Sequence, residues 1–536
     1  MSQNVLRAEI PLGQDGLWGS RNYATTPLTG LIDATNIDYY GGVISKEGGA
    51  LRFSSTAGIL ATTVAILGGY DWWPTPTGQE AVLLTATGTL RRDAGNGTFT
   101  ATLASGLSHT KISPVFVEGG KEAAAKTRKL FVFTGENAVQ VISGVGAVAA
   151  TALAKPPADW GANNWPRFGF IYTNRLWAGG NYNNPHQLYY STATDHEDFT
   201  ATAGLSGGGP GTLMVYPGVG EYLIAAAEFK GFIVCFKYPR GIFVINAADP
   251  TITNWQIQTQ SRHVGLAGPN AWTMIDDDIL FLDTSGQVQV LSRVSDQTYA
   301  VRSLSDERQM RDFIASNVDV TRLWDARCIY YAYKREVHVA LTGTGGSAVN
   351  NRRLIIDFNT PGRVKFRWSD RDICESIWLQ KDSQLIERPF IGAENGIVWQ
   401  LDQAAATKGG VAYEGRLQTA HLDMSHLDPA FATREKNGRF LEITFEQVGN
   451  YSLYADVYWD EQFSETLSFR MGSDSTGFPY TFPFVFAARG KLATARARLI
   501  GSGRRVSVIF RSPNDLETFR LAHAWLGFTL GSERVD

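Results

Sequence analysis

Short apolar runs separated by turn residues fill the chain from about residue 64 to residue 402. The clearest unit is Trp165–Thr200, WPRFGFIYTNRLWAGGNYNNPHQLYYSTATDHEDFT. Within it Phe168–Tyr172, Arg175–Ala178 and Gln187–Ser191 are apolar or aromatic and are bounded by Gly, Asn and Pro. That pattern predicts three antiparallel strands. The closing Asp195–Phe199 (DHEDF) reads as a turn whose Phe tucks back under the unit.

The same grammar recurs on both sides. Val64–Asp71, Glu80–Thr85, Gly88–Arg92 and Thr98–Leu103 make one set of strand candidates. Val115–Glu118, Lys129–Thr134 and Ala138–Ser143, with a following Val-Ala run, make another. Further sets lie at 223–259, 271–293, 327–369 and 376–402. Turns such as Asp276-Asp277-Asp278, Asp283-Thr284-Ser285-Gly286 and Glu394-Asn395-Gly396 separate the strands. Units starting roughly every fifty residues fall in the range of propeller blades. A four-stranded blade cannot cover its own two faces, and radial packing of several blades does so. The expected fold is therefore all-β, a β-propeller of about six to seven blades.

Two segments interrupt the pattern. Gly119–Arg128 (GGKEAAAKTR) is a hydrophilic insertion with helix-forming residues. Ser305–Asn317 is the best helix candidate: Ser305 is placed as an N-cap, and Met310, Phe313 and Ile314 share a face. It is read as a connector on the rim or as a partner contact. After about Ala420 the texture changes. His421–Asn437 is polar and reads as a linker or crossing loop, and Arg439–Gln447, Tyr451–Trp459, Thr466–Met471, Lys491–Ile500, Arg504–Arg511 and Ala522–Leu530 alternate with period two. Leu441/Ile443/Phe445 and Val506/Val508/Phe510 mark the inner faces of a C-terminal β-sandwich. Its aromatic loop Gly472–Phe486 is a partner surface if exposed and a lid if buried. The chain thus divides into residues 1–60, an arm or an N-terminal β-layer; 61–420, the propeller; and 421–536, the sandwich.

Composition sharpens this picture. With 55 Gly, 12% aromatic and only 19% charged residues, the 536-residue chain suits a turn-rich β protein and not a disordered one. A net charge of −3 gives no basic footprint for tight phosphate binding. Cys235, Cys328 and Cys374 are far apart and odd in number, which fits assembly in a reducing cytoplasm. The start, MSQNVLRAEIPLGQ, lacks a signal-peptide core, and the apolar windows at 57–69 and 144–154 are too short to span a bilayer. A soluble protein is expected.

Three segments carry a family resemblance. Asn174, Arg175, Leu176, Trp177 and Gly179, followed by Leu188, Tyr189, Ser191, Asp195, Asp198 and Phe199, resemble a repeat unit of the tail nozzle (tail hub, "stabilisation") proteins of short-tailed bacteriophages. GLIDATNI at 30–37 and GVISKEGG at 42–49, with Asn36, Lys46 and Gly48, are similar to the opening "leader" motif of that family. Gly265–Pro269 before Ile279–Leu291 adds a third match. The resemblance implies a structural virion protein, not an enzyme, without catalytic residue, metal or cofactor. It implies a self-assembled ring of six copies below the portal, contacts to the head-tail adaptor protein and to tail fibres or other tail proteins, and transient passage of double-stranded DNA during ejection. The place implied is the virion tail, after assembly in the host cytoplasm.

Candidate chemistry is sparse beside this. Gly204-Leu205-Ser206-Gly207-Gly208 fits G-x-S-x-G, but the Gly-Gly-Pro-Gly after it opposes the helix a nucleophile elbow needs. The sequence holds no P-loop, no HExxH and no calcium loop. His421 and His426 have finger-like spacing without a cysteine pair, and the histidines, His186 and His196 included, read as surface or turn residues. Carboxylate pairs with Trp72, Trp73, Tyr189 or Tyr190 leave a carbohydrate-binding or carbohydrate-active propeller as the alternative. Blade-core packing is the simpler place for those rings.

Overall fold

The structure, a computed structural model, describes residues 4–20, 25–39, 42–54, 64–93, 97–107, 113–121, 127–146, 148–161, 163–200, 209–247, 249, 254–294, 299–360, 363–370, 374–382, 384–403, 407–448, 451–472, 492–512 and 518–531. The expected G-x-S-x-G and the aromatic loop after Gly472 lie outside these residues, as do residues 122–126 of the hydrophilic insertion. The rest of that insertion extends a hairpin, Val115–Lys121 against Thr127–Phe133.

Strands dominate, and they form a β-propeller. Six separate four-stranded antiparallel sheets are blades, with first strands beginning at residues 66, 115, 168, 222, 272 and 376. A further ring position is filled by Arg327–Tyr331, Glu336–Leu341, Arg352–Thr360 and Arg363–Ser369, which are the first four strands of a nine-stranded sheet. The innermost strands of successive blades neighbour one another, and the 376–381 strand meets the 66–75 strand to close the ring. At that seam the chain must lie close: a Cβ on Gly69 would sit 2.6 Å from the Trp378 ring.

Between blades the apolar faces mesh. Val82, Leu84 and Leu90 pack on Leu130, Val132 and Ile142, and Phe131 and Phe133 pack on Leu176 and Ala178. Burying both faces is what permits near-continuous apolar strands such as Phe232–Tyr238, where half-solvated sheets would alternate. Cys235 lies wholly inside this packing, and burial pushes its thiol pKa up.

The last blade is completed from the other end of the chain. Its outer strand is Gly49–Arg52, paired antiparallel with Val398–Gln403. Residues 6–46 go elsewhere. Leu6–Ile10 and Ile44–Lys46 pair with Arg520–Leu530, and Leu31–Thr35 pairs with Arg416–Thr419. The leader thus supplies strands to both sheets of the C-terminal sandwich. This corrects the division at residue 60: the strands between Leu6 and Arg52 are integral to the sandwich and to the last blade. The period-two signal could not reveal this, because strands of three to five residues carry little alternation and are held in these sheets by partners from the far end of the chain.

One sandwich sheet is built on Lys436–Glu446 and Arg520–Leu530, the other on Ser452–Trp459 and Val506–Arg511. Leu441, Ile443 and Phe445 face Val506, Val508 and Phe510 in the shared core, as the alternation predicts. The second sheet is not separate from the propeller. Thr35 pairs in parallel with Trp368, so the blade at 327–369 runs on into the sandwich as one nine-stranded sheet.

The helix expected at 305–317 is two shorter helices, Leu304–Glu307 and Arg311–Asn317, parted at Gln309, whose φ is +51°. The cap is Ser303, whose side chain accepts from the Asp306 amide, and not Ser305. Ser305 is instead buried and accepts from the Val288 amide. Met310 and Ile314 face the core and Phe313 meets Trp368 edge-on. Both helices lie in the connection between two blades.

Candidate functional site

The repeat-motif residues build the third blade. Thr173 and Asn174 both have positive φ (+47° and +55°), the geometry of a two-residue hairpin turn matched to strand twist. Asn174 Nδ2 donates to the Ala193 carbonyl at 2.9 Å, fastening the turn to the loop beyond the third strand. Arg175 reaches across its neighbours: one Nη1 donates to the carbonyls of Ser191 and Gly209, each at 2.7 Å, with the guanidinium above the Tyr190 ring. Leu176 and Trp177 are wholly buried, and the indole packs between Tyr190 and Trp255 at centroid distances of 4.7 and 5.4 Å. Gly179 leaves room for the Phe168 ring, which a Cβ would meet at 2.9 Å.

The turn that closes this unit is held by its carboxylates. Asp195 accepts from the Glu197 amide at 3.1 Å and Asp198 from the Thr200 amide at 3.0 Å. Asp198 also pairs with Lys155 at 2.6 Å. Phe199 tucks against Trp160, 5.2 Å between centroids. His196 lies in the turn, as expected, but is buried there, accepting from the Gly120 amide at 3.0 Å through Nδ1. Trp72, Tyr189 and Tyr190 are buried in blade cores.

The leader-motif residues converge on a different place, a buried polar knot between the leader, the 327–369 blade and the last blade. Asn36, with φ +54°, accepts from Lys408 Nζ at 2.7 Å and from the Asp370 amide at 3.0 Å. Its Nδ2 donates to the Glu414 carbonyl at 2.8 Å. Lys46 is buried with its ammonium 4.4 Å from the centre of the Tyr413 ring. Gly48 passes so near the last blade that a Cβ would be 3.0 Å from the Gln403 carbonyl oxygen.

Around these residues four carboxylates (Asp38, Glu47, Glu336 and Asp402) meet four cations (Lys334, Arg353, Arg367 and Lys408). Lys334 Nζ donates to Asp38 at 2.7 Å and to Asp402 at 2.5 Å. Arg353 donates to Glu47 and Arg367 to Glu336, both at 2.6 Å. Arg367 also donates to the Ile37 carbonyl at 2.7 Å. His338 joins the two halves. Arginine can only donate, so His338 Nδ1 accepts from Arg353 at 2.7 Å, and Nε2 carries the proton given to Glu336 at 3.1 Å. Burial holds this imidazole below its ordinary pKa, consistent with that neutral tautomer. Burial alone would raise the Glu336 carboxyl, but Arg367, His338 and Lys334 overcome it and hold it at about 2. Glu47 is likewise held well below the carboxylate range: Lys408, Arg353 and Arg367 outweigh its burial.

Buried charge of this density is tolerated only when every partner is present. The hollow at its centre is about 10 Å³, roughly room for one water and no more. The knot is therefore cohesive, with no room for a substrate. His338 corrects the reading of the histidines as surface or turn residues; the apolar alternation of Glu336–Leu341 gave no hint of it.

Among the described residues two larger hollows stand out. The propeller's central hollow, about 520 Å³, is lined by the innermost strands with rings such as Phe116, Trp272 and Trp378. A cleft of about 640 Å³ lies where the 327–369 blade joins the sandwich. Among the described residues no group of His, Cys, Asp and Glu is placed to hold a metal. Among the same residues no helix is long and apolar enough to cross a membrane.

No protein-family model matches the chain, and no curated protein sequence does. Solved propeller structures resemble it weakly. YCF48 from Cyanidioschyzon merolae is 11% identical, with 66% of this chain and 98% of that one covered and a TM-score of 0.39. BamB from Moraxella catarrhalis is 12% identical over 74% and 100%, at 0.37. PorZ of Porphyromonas gingivalis is 16% identical over 68% of this chain and 42% of its own, at 0.38.

Proposed function

We propose that the protein is a structural segment of a short-tailed phage tail, a nozzle or hub that forms a ring of six copies below the portal and adaptor. The observation that supports this best is the placement of the leader motif. Asn36, Lys46 and Gly48 sit where the leader, propeller and sandwich are tied together by buried ion pairs and a shared sheet. A channel wall that must hold back packaged DNA needs domains that do not shift against one another, and such a tie supplies that rigidity. The repeat-motif residues serve the same end inside one blade.

DNA would pass along the axis of the ring and not through a single propeller. The propeller's hollow is walled by aromatic rings and holds only about 520 Å³, far too little for a duplex. A chain of net charge −3 does not grip phosphates, so DNA slides past it. A closed ring uses a heterologous interface, one surface of each copy meeting a different surface of the next. Adaptor on one side and fibres or other tail proteins on the other complete the proposed partners. Gold-labelled antibody against the protein, applied to particles of the phage that encodes it, should mark the tail below the portal. Label confined to the head, or absent from particles, would refute the reading.

A further inference from the structure

The cleft at the blade–sandwich junction opens beside the tie described above: it shares Thr35, Trp368 and Asp370 with it, while Arg416, Gln418 and Tyr458 take no part in the knot. Its floor is the outer face of the nine-stranded sheet, where Asp33 lies opposite Gln418 and Gln418 opposite Ile509 on adjacent strands. One wall is Trp368 with Phe313 set edge-on against it at 5.5 Å. The other is the hairpin tip that carries Tyr458 and Glu461. At about 640 Å³ the volume is that of a small-molecule site.

The groups inside are mixed in sign and in hydrogen-bonding sense. Arg416 Nε donates to Asp33 at 2.6 Å, so a donor and an acceptor stand side by side on the floor. Gln418 offers an amide, which both donates and accepts, and Arg352 and Asp370 lie near the blade wall. Charges of both signs nearly cancel, and burial disfavours the charged form of His421. A strongly anionic ligand would meet Asp33, Asp370 and Glu461, and a cationic one would meet Arg352 and Arg416. A neutral ligand rich in hydroxyl groups, with apolar ring faces for Tyr458, suffers neither penalty.

We infer that this junction cleft is a binding site for a short neutral oligosaccharide, roughly two or three sugar units by its volume. The inference stands on the cleft alone and is independent of the ring proposed above. Both carbohydrate recognition and a structural role fit one chain, because the cleft lies on the outer sheet face and the knot is buried.

The test is saturation-transfer NMR on the full chain with maltotriose, cellotriose, N,N′,N″-triacetylchitotriose and mannotriose, each at millimolar concentration, and with sialyllactose as the charged control. Tyr458→Ala and Gln418→Ala are measured beside the wild type. The first removes the ring and the second only an amide, so a folding defect in the first leaves the second to decide. At least one neutral trisaccharide should show transfer, with affinity about tenfold weaker in each folded variant and little response to sialyllactose. No transfer from any neutral sugar, equal response to the charged one, or unchanged affinity in the folded variants would overturn the inference.

Discussion

Replacing Glu336 by Gln removes one charge from the centre of the knot and changes almost nothing else in shape. Glu336 is 2% exposed and accepts from Arg367, which is equally buried, and from His338. Its folded pKa of about 2, against 4.5 for the free group, fixes the size of the effect. Each unit is about 1.4 kcal/mol, so the ionised carboxylate contributes about 3 kcal/mol at neutral pH. Removing one partner of a buried pair costs about 3–5 kcal/mol by general experience, the same range. The sign follows from the depressed pKa. The contribution is fully present above about pH 4.5 and is lost as pH falls toward 2, with about two-thirds gone by pH 3. Urea unfolding of wild type and Glu336→Gln, followed by tryptophan fluorescence at pH 7 and pH 3, measures both terms. The variant should be less stable by about 3–5 kcal/mol at pH 7, and the gap should shrink by about 2 kcal/mol at pH 3. A variant as stable as the wild type at pH 7, or a gap that does not change with pH, would refute the reasoning.

Other outcomes follow from the packing. Trp177→Ala empties a wholly buried site between two blades and should cost about 3–5 kcal/mol in the same urea assay. Gly69→Ala forces a methyl to 2.6 Å from Trp378 at the ring seam and should cost about 1–3 kcal/mol, with the Trp378→Phe background relieving part of it. Deleting residues 1–54 removes strands from both sandwich sheets and the outer strand of the last blade, so limited proteolysis should find both domains digested and no stable propeller core. Asp357 is buried with its carboxyl pKa raised by that burial, the opposite sense to Glu336. Its ionised form opposes folding at neutral pH, and Asp357→Asn should raise the melting temperature at pH 7 and have less effect at pH 3.

Much of the propeller was legible because its signal is local. Phe168–Tyr172 occupies the predicted residues, Arg175–Gly179 extends by one, and the other inner strands differ by a few positions at their ends. Weak outer strands escaped: Gly211–Met214 and Tyr299–Ser303 alternate little and are held by pairing with their blades. The sandwich alternation was equally plain in Leu441, Ile443 and Phe445. What remained hidden is non-local. Nothing in LRAEI announces its partner near Phe528, or in LIDAT its partner near Thr419, and the charges of the knot look like solvated turns until the fold gathers them. Asn36 and Lys46 proved to be buried anchors, while Glu336, His338, Arg353 and Arg367 lie on strands that the motifs do not touch.

The central proposal, a ring-forming tail segment, is tested most directly by the mass and shape of the purified protein across a concentration series. Light scattering and negative-stain imaging would be done alone and with isolated head-tail parts of the phage. The account predicts a closed ring of six copies, formed either by the protein itself or once the adaptor is present. A monomer that never assembles, even with those parts, would contradict it.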